Sequence, residues 1–215
     1  MPVYTDAYLS IRDHLQKQDV TLVAVSKTRP PEDILALYAL GQRDFGENYV
    51  QEFIAKCGSL PADIRWHFIG HLQTNKVKQI AGLVHLIHGV DSIRLLQEIN
   101  KQGQKLQRTI ACLLQVHIAA EETKFGLDET ELQEVAGQLS ALPFIEVRGL
   151  MGMATNTDNT EQVRREFQRL RQLAEKFPCS QSPIISMGMS NDYTIAVEEG
   201  STMVRIGSLI FGSRS

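Results

Sequence analysis

Short runs of apolar residues alternate along the chain with segments in which apolar residues recur every three or four positions. The short runs are typical of strands buried in a parallel sheet, and the longer pattern is typical of amphipathic helices that cover such strands. The sequence predicts eight strands, over residues 20–27, 43–46, 65–69, 84–87, 109–118, 145–150, 184–186 and 203–206. A further amphipathic helix, over about residues 4–17, precedes the first strand.

Each connection between strands is long enough for a crossover helix, which is what parallel pairing requires. Eight such units predict an α/β fold: a single-domain (β/α)₈ TIM barrel with an extra N-terminal helix. The alternative is an open doubly wound sheet, but no glycine fingerprint follows the first strand. No linker or charge run divides the 215 residues, so we expect one domain over residues 1–215, with the barrel over about 20–215.

The overall charge argues against several classes of partner. A net charge of −3 provides no basic field for nucleic acid or for an anionic membrane. The three cysteines are scattered without metal-ligand spacing, as expected in a reducing compartment. The first residues are polar, and no apolar run approaches the roughly 18 residues of a membrane span. We therefore expect a cytoplasmic protein, monomeric, with no nucleic-acid or membrane partner.

Candidate chemistry begins with Lys27, which ends the first predicted strand just before Pro30 and Pro31. The carboxyl ends of parallel strands are where α/β folds gather their functional groups. A partly desolvated amine at such a place is a usable nucleophile for a carbonyl. The alternative is a solvated lysine that merely ends a strand.

Two Gly/Ser segments follow the last two predicted strands. Gly188 and Gly207 allow backbone N–H groups to approach an anion, and Ser190 and Ser208 add hydroxyl donors. In barrels, phosphate is often held by these two loops. The pattern therefore indicates a phosphate cradle, with simple helix capping by Ser190 as the alternative.

Arg205 and several histidines are further candidates for functional polar groups. Arg205 alternates with Met203 and Gly207, so an inward-facing guanidinium would need a ligand or an internal ion pair as its partner. His67 and His71 are four residues apart, but without a helix or a neighbouring glutamate they make a weak zinc motif. We predict no metal, a pocket-lining role for His71, and structural roles for His85 and His88.

Six segments in the same order closely resemble the YggS family, called PROSC in eukaryotes, whose members are pyridoxal 5′-phosphate (PLP) homeostasis proteins. The segments are AVSKT (24–28), FGENYVQE (45–52), WHFIGHLQTNK (66–76), RGLMGM (148–153), SMGMSND (186–192) and GSTMVRIGSLIFG (200–212). The resemblance runs from about residue 20 to the C-terminus. It implies a barrel related to the N-terminal barrel of alanine racemase, a fold-type-III PLP domain.

The resemblance also implies PLP as the cofactor and a set of cofactor-binding residues. These are Lys27 as the Schiff-base lysine, Ser190, Gly207 and Ser208 at the phosphate, Arg205 at the pyridine nitrogen, Asn48 and His71 along the pocket, and Met151 and Met187 near the ring. The chain departs from the family pattern at Ser208, where threonine is common, and at His117, where asparagine is frequent.

The resemblance implies a role in vitamin B6 and amino/keto-acid balance, with PLP-dependent apo-enzymes as recipients, rather than catalysis. Related racemases cover the cofactor with a second β-domain that contributes a catalytic tyrosine, and the sequence predicts no such domain. An arginine at the pyridine nitrogen also weakens the electron sink. A small racemase-like enzyme is the first alternative. A barrel enzyme acting on a phosphorylated sugar, without an imine, is the second.

Overall fold

The computed structural model describes residues 3–121, 125–179 and 182–212. Strands and helices alternate along these residues. They are α1 (Thr5–Gln16), β1 (Thr21–Val25), α2 (Pro31–Ala39), β2 (Asp44–Glu47), α3 (Val50–Ser59), β3 (Arg65–Phe68), α4 (Val77–Ile80), β4 (Leu86–Val90), α5 (Ile93–Leu106), β5 (Ile110–Gln115), α6 (Glu129–Gln138), β6 (Ile145–Met151), α7 (Thr160–Lys176), β7 (Ile184–Ser186), α8 (Tyr193–Glu198), β8 (Met203–Ile206) and α9 (Ser208–Phe211).

The eight strands form a closed barrel in which each strand pairs with the next in parallel and β8 returns to β1. The predicted (β/α)₈ barrel is therefore confirmed, and α1 is the extra helix before it. The open-sheet alternative is excluded because β1 and β8 are hydrogen-bonded neighbours over four residue pairs, from Thr21 and Met203 to Ala24 and Ile206. No helix of the described residues has the length and apolarity to cross a bilayer.

Strand residues alternate between two environments, as the pleat requires. Residues such as Ala24 and Ile206 face outward into the main hydrophobic core between strands and helices. Inward-facing apolar side chains form a smaller cluster inside the barrel: Val23, Leu86, Ala111, Leu113, Met151 and Met203. Polar groups fill the rest of the barrel interior, including His67, His88 and Arg205, all of which are buried.

The position of β4 differs from the sequence prediction, which put it at residues 84–87. Val84 instead closes the turn after α4, where its N–H donates to the carbonyl of Ile80 at 2.9 Å. The strand continues through His88 to Val90. The predicted strand stopped just before His88, but hydrogen bonds inside the barrel satisfy the His88 ring, so the strand can continue.

The fifth strand is also shorter than predicted. It ends at Gln115 rather than at residue 118, and Val116 forms only an isolated bridge to Leu127. Apolar residues persist to Ile118 because they still pack in the core after the strand has ended.

Candidate functional site

A cavity of about 690 Å³ opens at the carboxyl ends of the strands. This is the face on which barrels gather their functional groups. Its described lining comes from β1 and β8 themselves and from the segments after β1, β2, β3, β6, β7 and β8: Val25, Lys27, Arg29, Asn48, Ile69, Met153, Ala154, Thr155, Asn156, Thr157, Asp158, Thr160, Val163, Met189, Ser190, Asn191, Asp192, Ile195, Arg205, Gly207, Ser208 and Gly212.

Lys27 enters the cavity because it continues the inward-facing alternation of β1, two residues beyond Val25. Its side chain is half-buried. The next residue, Thr28, adopts a left-handed conformation with φ of 64°, which is uncommon for a residue with a branched side chain. The backbone just after Lys27 is therefore held in a specific geometry.

A buried ionic cluster of Glu47, Glu52 and Lys56 holds that geometry. The Lys56 ammonium donates to the carbonyl of Ser26 at 2.8 Å and to carboxylate oxygens of Glu47 and Glu52 at 2.8 and 2.6 Å. The Ser26 hydroxyl donates to Glu47 at 2.6 Å. The backbone N–H of Thr28 donates to Glu52, also at 2.6 Å. Both residues that flank Lys27 are thus anchored behind the cavity wall.

The electrostatics of this cluster follow from its burial. Burial raises the pKa of the Glu47 carboxyl, while the neighbouring Lys56 ammonium opposes that shift. The second carboxylate oxygen of Glu47, Oε2, is buried and has no hydrogen-bond partner among the described residues. Lys56 is 5% exposed, and a buried lysine of this kind is maintained only by paired oxygens such as these.

Arg205 reaches the cavity from inside the barrel. Its Nη1 donates to the carbonyl and hydroxyl oxygens of Ser186 at 2.9 and 2.6 Å, and its Nη2 donates to the carbonyl of Gly152 at 3.2 Å. These bonds leave the Nε–H and one Nη2–H without an acceptor among the described residues. Burial lowers the pKa of Arg205 to about 10, so the group remains charged at neutral pH.

The two Gly/Ser segments meet beside Arg205. The Ser190 hydroxyl accepts from the N–H of Gly207 at 3.4 Å, which ties the loop after β7 to the loop after β8. Gly188 has φ of 95°, and an added Cβ would lie 2.6 Å from the Cβ of Ala196. This position therefore requires glycine. Ser208 is exposed and lines the same cavity.

Six of the nine predicted cofactor-binding residues line this one cavity: Lys27, Asn48, Ser190, Arg205, Gly207 and Ser208. Asn48 also presents a buried amide oxygen, Oδ1, that has no partner among the described residues. The cavity suits an anionic ligand that carries a carbonyl. It offers a positioned amine for the carbonyl, together with a buried guanidinium, an unsatisfied amide and two hydroxyl-bearing loops.

The other three predicted residues lie outside the described cavity wall. The His71 side chain is half-exposed, lies 3.2 Å from a carboxylate oxygen of Asp91, and stacks on Phe125 with ring centroids 5.0 Å apart. Met151 belongs to the apolar cluster inside the barrel, and Met187 faces outward into the main core. His117, at the position that departs from the family pattern, donates from Nε2 to the carbonyl of Glu121 at 2.9 Å.

Sequence analysis missed a buried polar chain behind Arg205. His88 Nδ1 lies 3.1 Å from the Ser186 hydroxyl, His88 Nε2 lies 2.9 Å from His67 Nδ1, and His67 Nε2 lies 3.0 Å from Asp44 Oδ1. Burial opposes ionisation of Asp44, but hydrogen bonds from Arg65 and His67 outweigh it and lower its pKa to about 2. Burial lowers the pKa of His88 well below its ordinary value. The available signal was strand alternation, which puts these residues on inward-facing positions.

Known proteins resemble this chain over nearly its whole length. The alanine racemase N-terminal domain matches residues 5–215. A pyridoxal phosphate homeostasis protein of Aquifex aeolicus is 44% identical over 197 residues, which cover 90% of this chain and 86% of that protein. Of the relatives found, many carry that same name, among them the Escherichia coli K12 protein at 38% identity over 92% of this chain and 87% of its own.

Solved structures give the same picture. PipY of Synechococcus elongatus PCC7942 with PLP bound has a TM-score of 0.86 at 36% identity, covering 96% of this chain and 99% of PipY. Without PLP, PipY has a TM-score of 0.89 at 37% identity with the same coverage. An alanine racemase of Bartonella henselae shares the fold alone, with a TM-score of 0.74 at 16% identity over 97% of this chain and 59% of the racemase.

The domain match and the relatives named for pyridoxal phosphate homeostasis both span nearly the whole chain. The chain therefore belongs to the alanine racemase N-terminal domain family and, within it, to the pyridoxal phosphate homeostasis proteins.

Proposed function

We propose that this chain binds PLP at the carboxyl end of its barrel and holds it reversibly, as a Schiff base with Lys27, in the service of vitamin B6 homeostasis. The observation that carries the proposal is one cavity that unites the Lys27 amine, the Arg205 guanidinium and the two Gly/Ser segments. The relatives' name and the PLP-bound PipY structure support the same cofactor.

The residues fit the chemistry of PLP part by part. The Lys27 amine suits the aldehyde, and the hydroxyls of Ser190 and Ser208 suit the phosphate. Arg205 has two N–H groups without a protein acceptor among the described residues, and a guanidinium can only donate. It therefore suits an unprotonated ring nitrogen. When bound, PLP supplies an electron sink, and a donor at its ring nitrogen weakens that sink.

The same features favour a carrier over a catalyst. Racemisation needs proton-transfer groups on both faces of the substrate carbon. Among the described residues that line the cavity, there is no histidine, tyrosine, cysteine or glutamate, and Asp158 and Asp192 are the only carboxylates beside Lys27. We propose a monomeric, cytoplasmic protein that protects the aldehyde and releases it to PLP-dependent apo-enzymes. Because Lys27 is half-buried, incoming amines can displace it.

The first prediction concerns Lys27. On titration with PLP, the full chain should develop the red-shifted absorbance band of an imine, and Lys27→Ala should lose that band and at least about tenfold in affinity. Lys78→Ala, at an exposed lysine of α4, is the matched control and should behave as the unmodified chain. An unchanged band in Lys27→Ala would contradict the assignment, and tight binding of sugar phosphates without any band would favour the second alternative.

The second prediction concerns Lys56. Lys56→Met should destabilise the fold by about 3 kcal/mol or more, because Glu47 loses its buried partner. At temperatures where the variant remains folded, PLP affinity should still fall about tenfold, because the carbonyl of Ser26 loses its donor and Glu52, which anchors Thr28, loses its ion pair. Chemical unfolding and absorbance titration measure the two effects, again with Lys78→Met as control. Affinity that is unchanged in the folded variant would show that the cluster serves stability alone.

The third prediction separates the carrier from a small racemase-like enzyme. In deuterated water with PLP and single amino acids, the full chain should exchange the α-hydrogen no faster than free PLP does. Proton NMR of the amino acid reports the exchange, and Lys27→Ala serves as the matched control. Exchange above the free-PLP rate that disappears in the variant would establish catalysis and overturn the carrier proposal.

A further inference from the structure

A continuous chain of buried side chains runs through the barrel from the amino end of β2 to the cavity. It links Asp44, His67, His88, Ser186 and Arg205 by contacts of 3.0, 2.9, 3.1 and 2.6 Å in that order. All five residues are at least nine-tenths buried. They come from five different strands (β2, β3, β4, β7 and β8), so the closed barrel brings them together.

We propose that these side chains form a hydrogen-bond relay with one fixed direction, and that its function is to position Arg205 as a donor toward the ring nitrogen of bound PLP. Asp44, His67, His88 and Ser186 then act as positioning residues for cofactor binding. The part of the proposal that involves PLP rests on the function proposed above, whereas the direction of the relay does not.

The direction follows from what each group can donate. The Asp44 carboxylate can only accept, so the facing nitrogen of His67, Nε2, must carry a hydrogen. With a neutral ring, His67 Nδ1 is then an acceptor, and His88 Nε2 must supply the hydrogen between the two rings. His88 Nδ1 is left as an acceptor for the Ser186 hydroxyl.

At the other end, Arg205 can only donate, so Ser186 Oγ accepts from it while donating its own hydrogen to His88. Every hydrogen in the relay then has an acceptor, and all bonds point from Arg205 to Asp44. If His67 were doubly protonated, His88 would have to donate to Ser186. The Ser186 hydrogen would then have no acceptor within the relay, which is costly in a buried site.

The relay fixes Arg205 in a defined orientation. The carbonyl and hydroxyl oxygens of Ser186 both accept hydrogen bonds from Nη1, and the carbonyl oxygen of Gly152 accepts one from Nη2. Because the Ser186 hydrogen is committed to His88, the lone pairs of its oxygen face the guanidinium. The plane of the guanidinium is thereby set, and its remaining N–H groups are available to a ligand in the cavity that Arg205 lines.

The direction can be tested on the unliganded chain by long-range ¹H–¹⁵N NMR of the histidine rings at neutral pH, with signals assigned from single variants. We expect both His67 and His88 to be neutral, with the hydrogen on Nε2. A hydrogen on Nδ1 of either ring, or a doubly protonated His67, would overturn the proposed direction whether or not the chain binds PLP.

The positioning role can be tested with two matched substitutions of His88. The amide of His88→Asn reaches the position of Nδ1 and can still accept from Ser186, whereas that of His88→Gln reaches the position of Nε2 and keeps only the link to His67. We expect His88→Asn to bind PLP within about twofold of the affinity of the unmodified chain. We expect His88→Gln to bind PLP about tenfold more weakly and to show a displaced absorbance maximum. Ser186→Ala should resemble the Gln variant.

His85→Asn is the control, because the His85 ring lies beside His67, with centroids 5.4 Å apart, but outside the relay. It should leave both the affinity and the absorbance maximum unchanged. Equal losses of PLP affinity in His88→Asn and His88→Gln, or an unshifted absorbance maximum in His88→Gln, would overturn the positioning role. The relay residues would then contribute only polar packing. Should the unmodified chain show no PLP binding, the proposed function and the positioning role would both fall, while the NMR result would still decide the direction of the relay.

Discussion

A permanently charged guanidinium inside a barrel has to be surrounded by oxygens, and the structure is arranged around that requirement. Arg205 is 5% exposed and meets two backbone carbonyls and one hydroxyl, with no carboxylate of the described residues in contact. An isolated buried charge would be prohibitively costly, so these oxygens are essential. Part of the barrel interior is consequently polar, while the rest is packed with apolar side chains such as Val23 and Met203.

Closure of the barrel then places Arg205 beside the strand that carries Lys27. In the pairing of β1 with β8, Val23 is opposite Arg205, so the two functional side chains extend from neighbouring strands on the same inner face. Gly207 allows the chain to pass close to β1, since an added Cβ would lie 3.2 Å from the carbonyl of Val25. The buried cluster around Lys56 fixes the end of β1 from behind. The Lys27 amine and the Arg205 guanidinium are thus positioned by the paired strands β1 and β8 and by the cluster around Lys56.

Much of this arrangement could be predicted from the sequence. The strands of a closed parallel barrel are buried on both faces and read as apolar runs, and each is followed by a clear helical pattern. Residues at strand ends, such as Lys27 and Ser190, were identifiable because all carboxyl ends share one face. The strand limits were harder to predict, because apolar residues continue beyond the end of β5 and a buried histidine, His88, interrupts the apolar run within β4.

The buried polar groups behind the cavity, namely the Lys56 cluster and the relay, were not predictable from the sequence in the same way. Lys56 lies on an amphipathic helix, where a lysine is ordinarily solvated, and its burial depends on Glu47 of β2 and on Ser26 just after β1. His67 and His88 are 21 residues apart, and Ser186 follows His88 by 98 residues. No local pattern joins such positions. Only closure of the barrel converts three unremarkable inward-facing residues into a continuous hydrogen-bonded chain.

The most direct test of the account is reduction of the PLP-treated chain with borohydride, followed by peptide mapping by mass spectrometry. Reduction makes the link between the amine and PLP permanent, so the modified residue can be identified. We expect the phosphopyridoxyl group on Lys27, in the peptide that follows β1, and on no other lysine at stoichiometric PLP. Modification spread over exposed lysines such as Lys78, with Lys27 unmodified, would contradict the account.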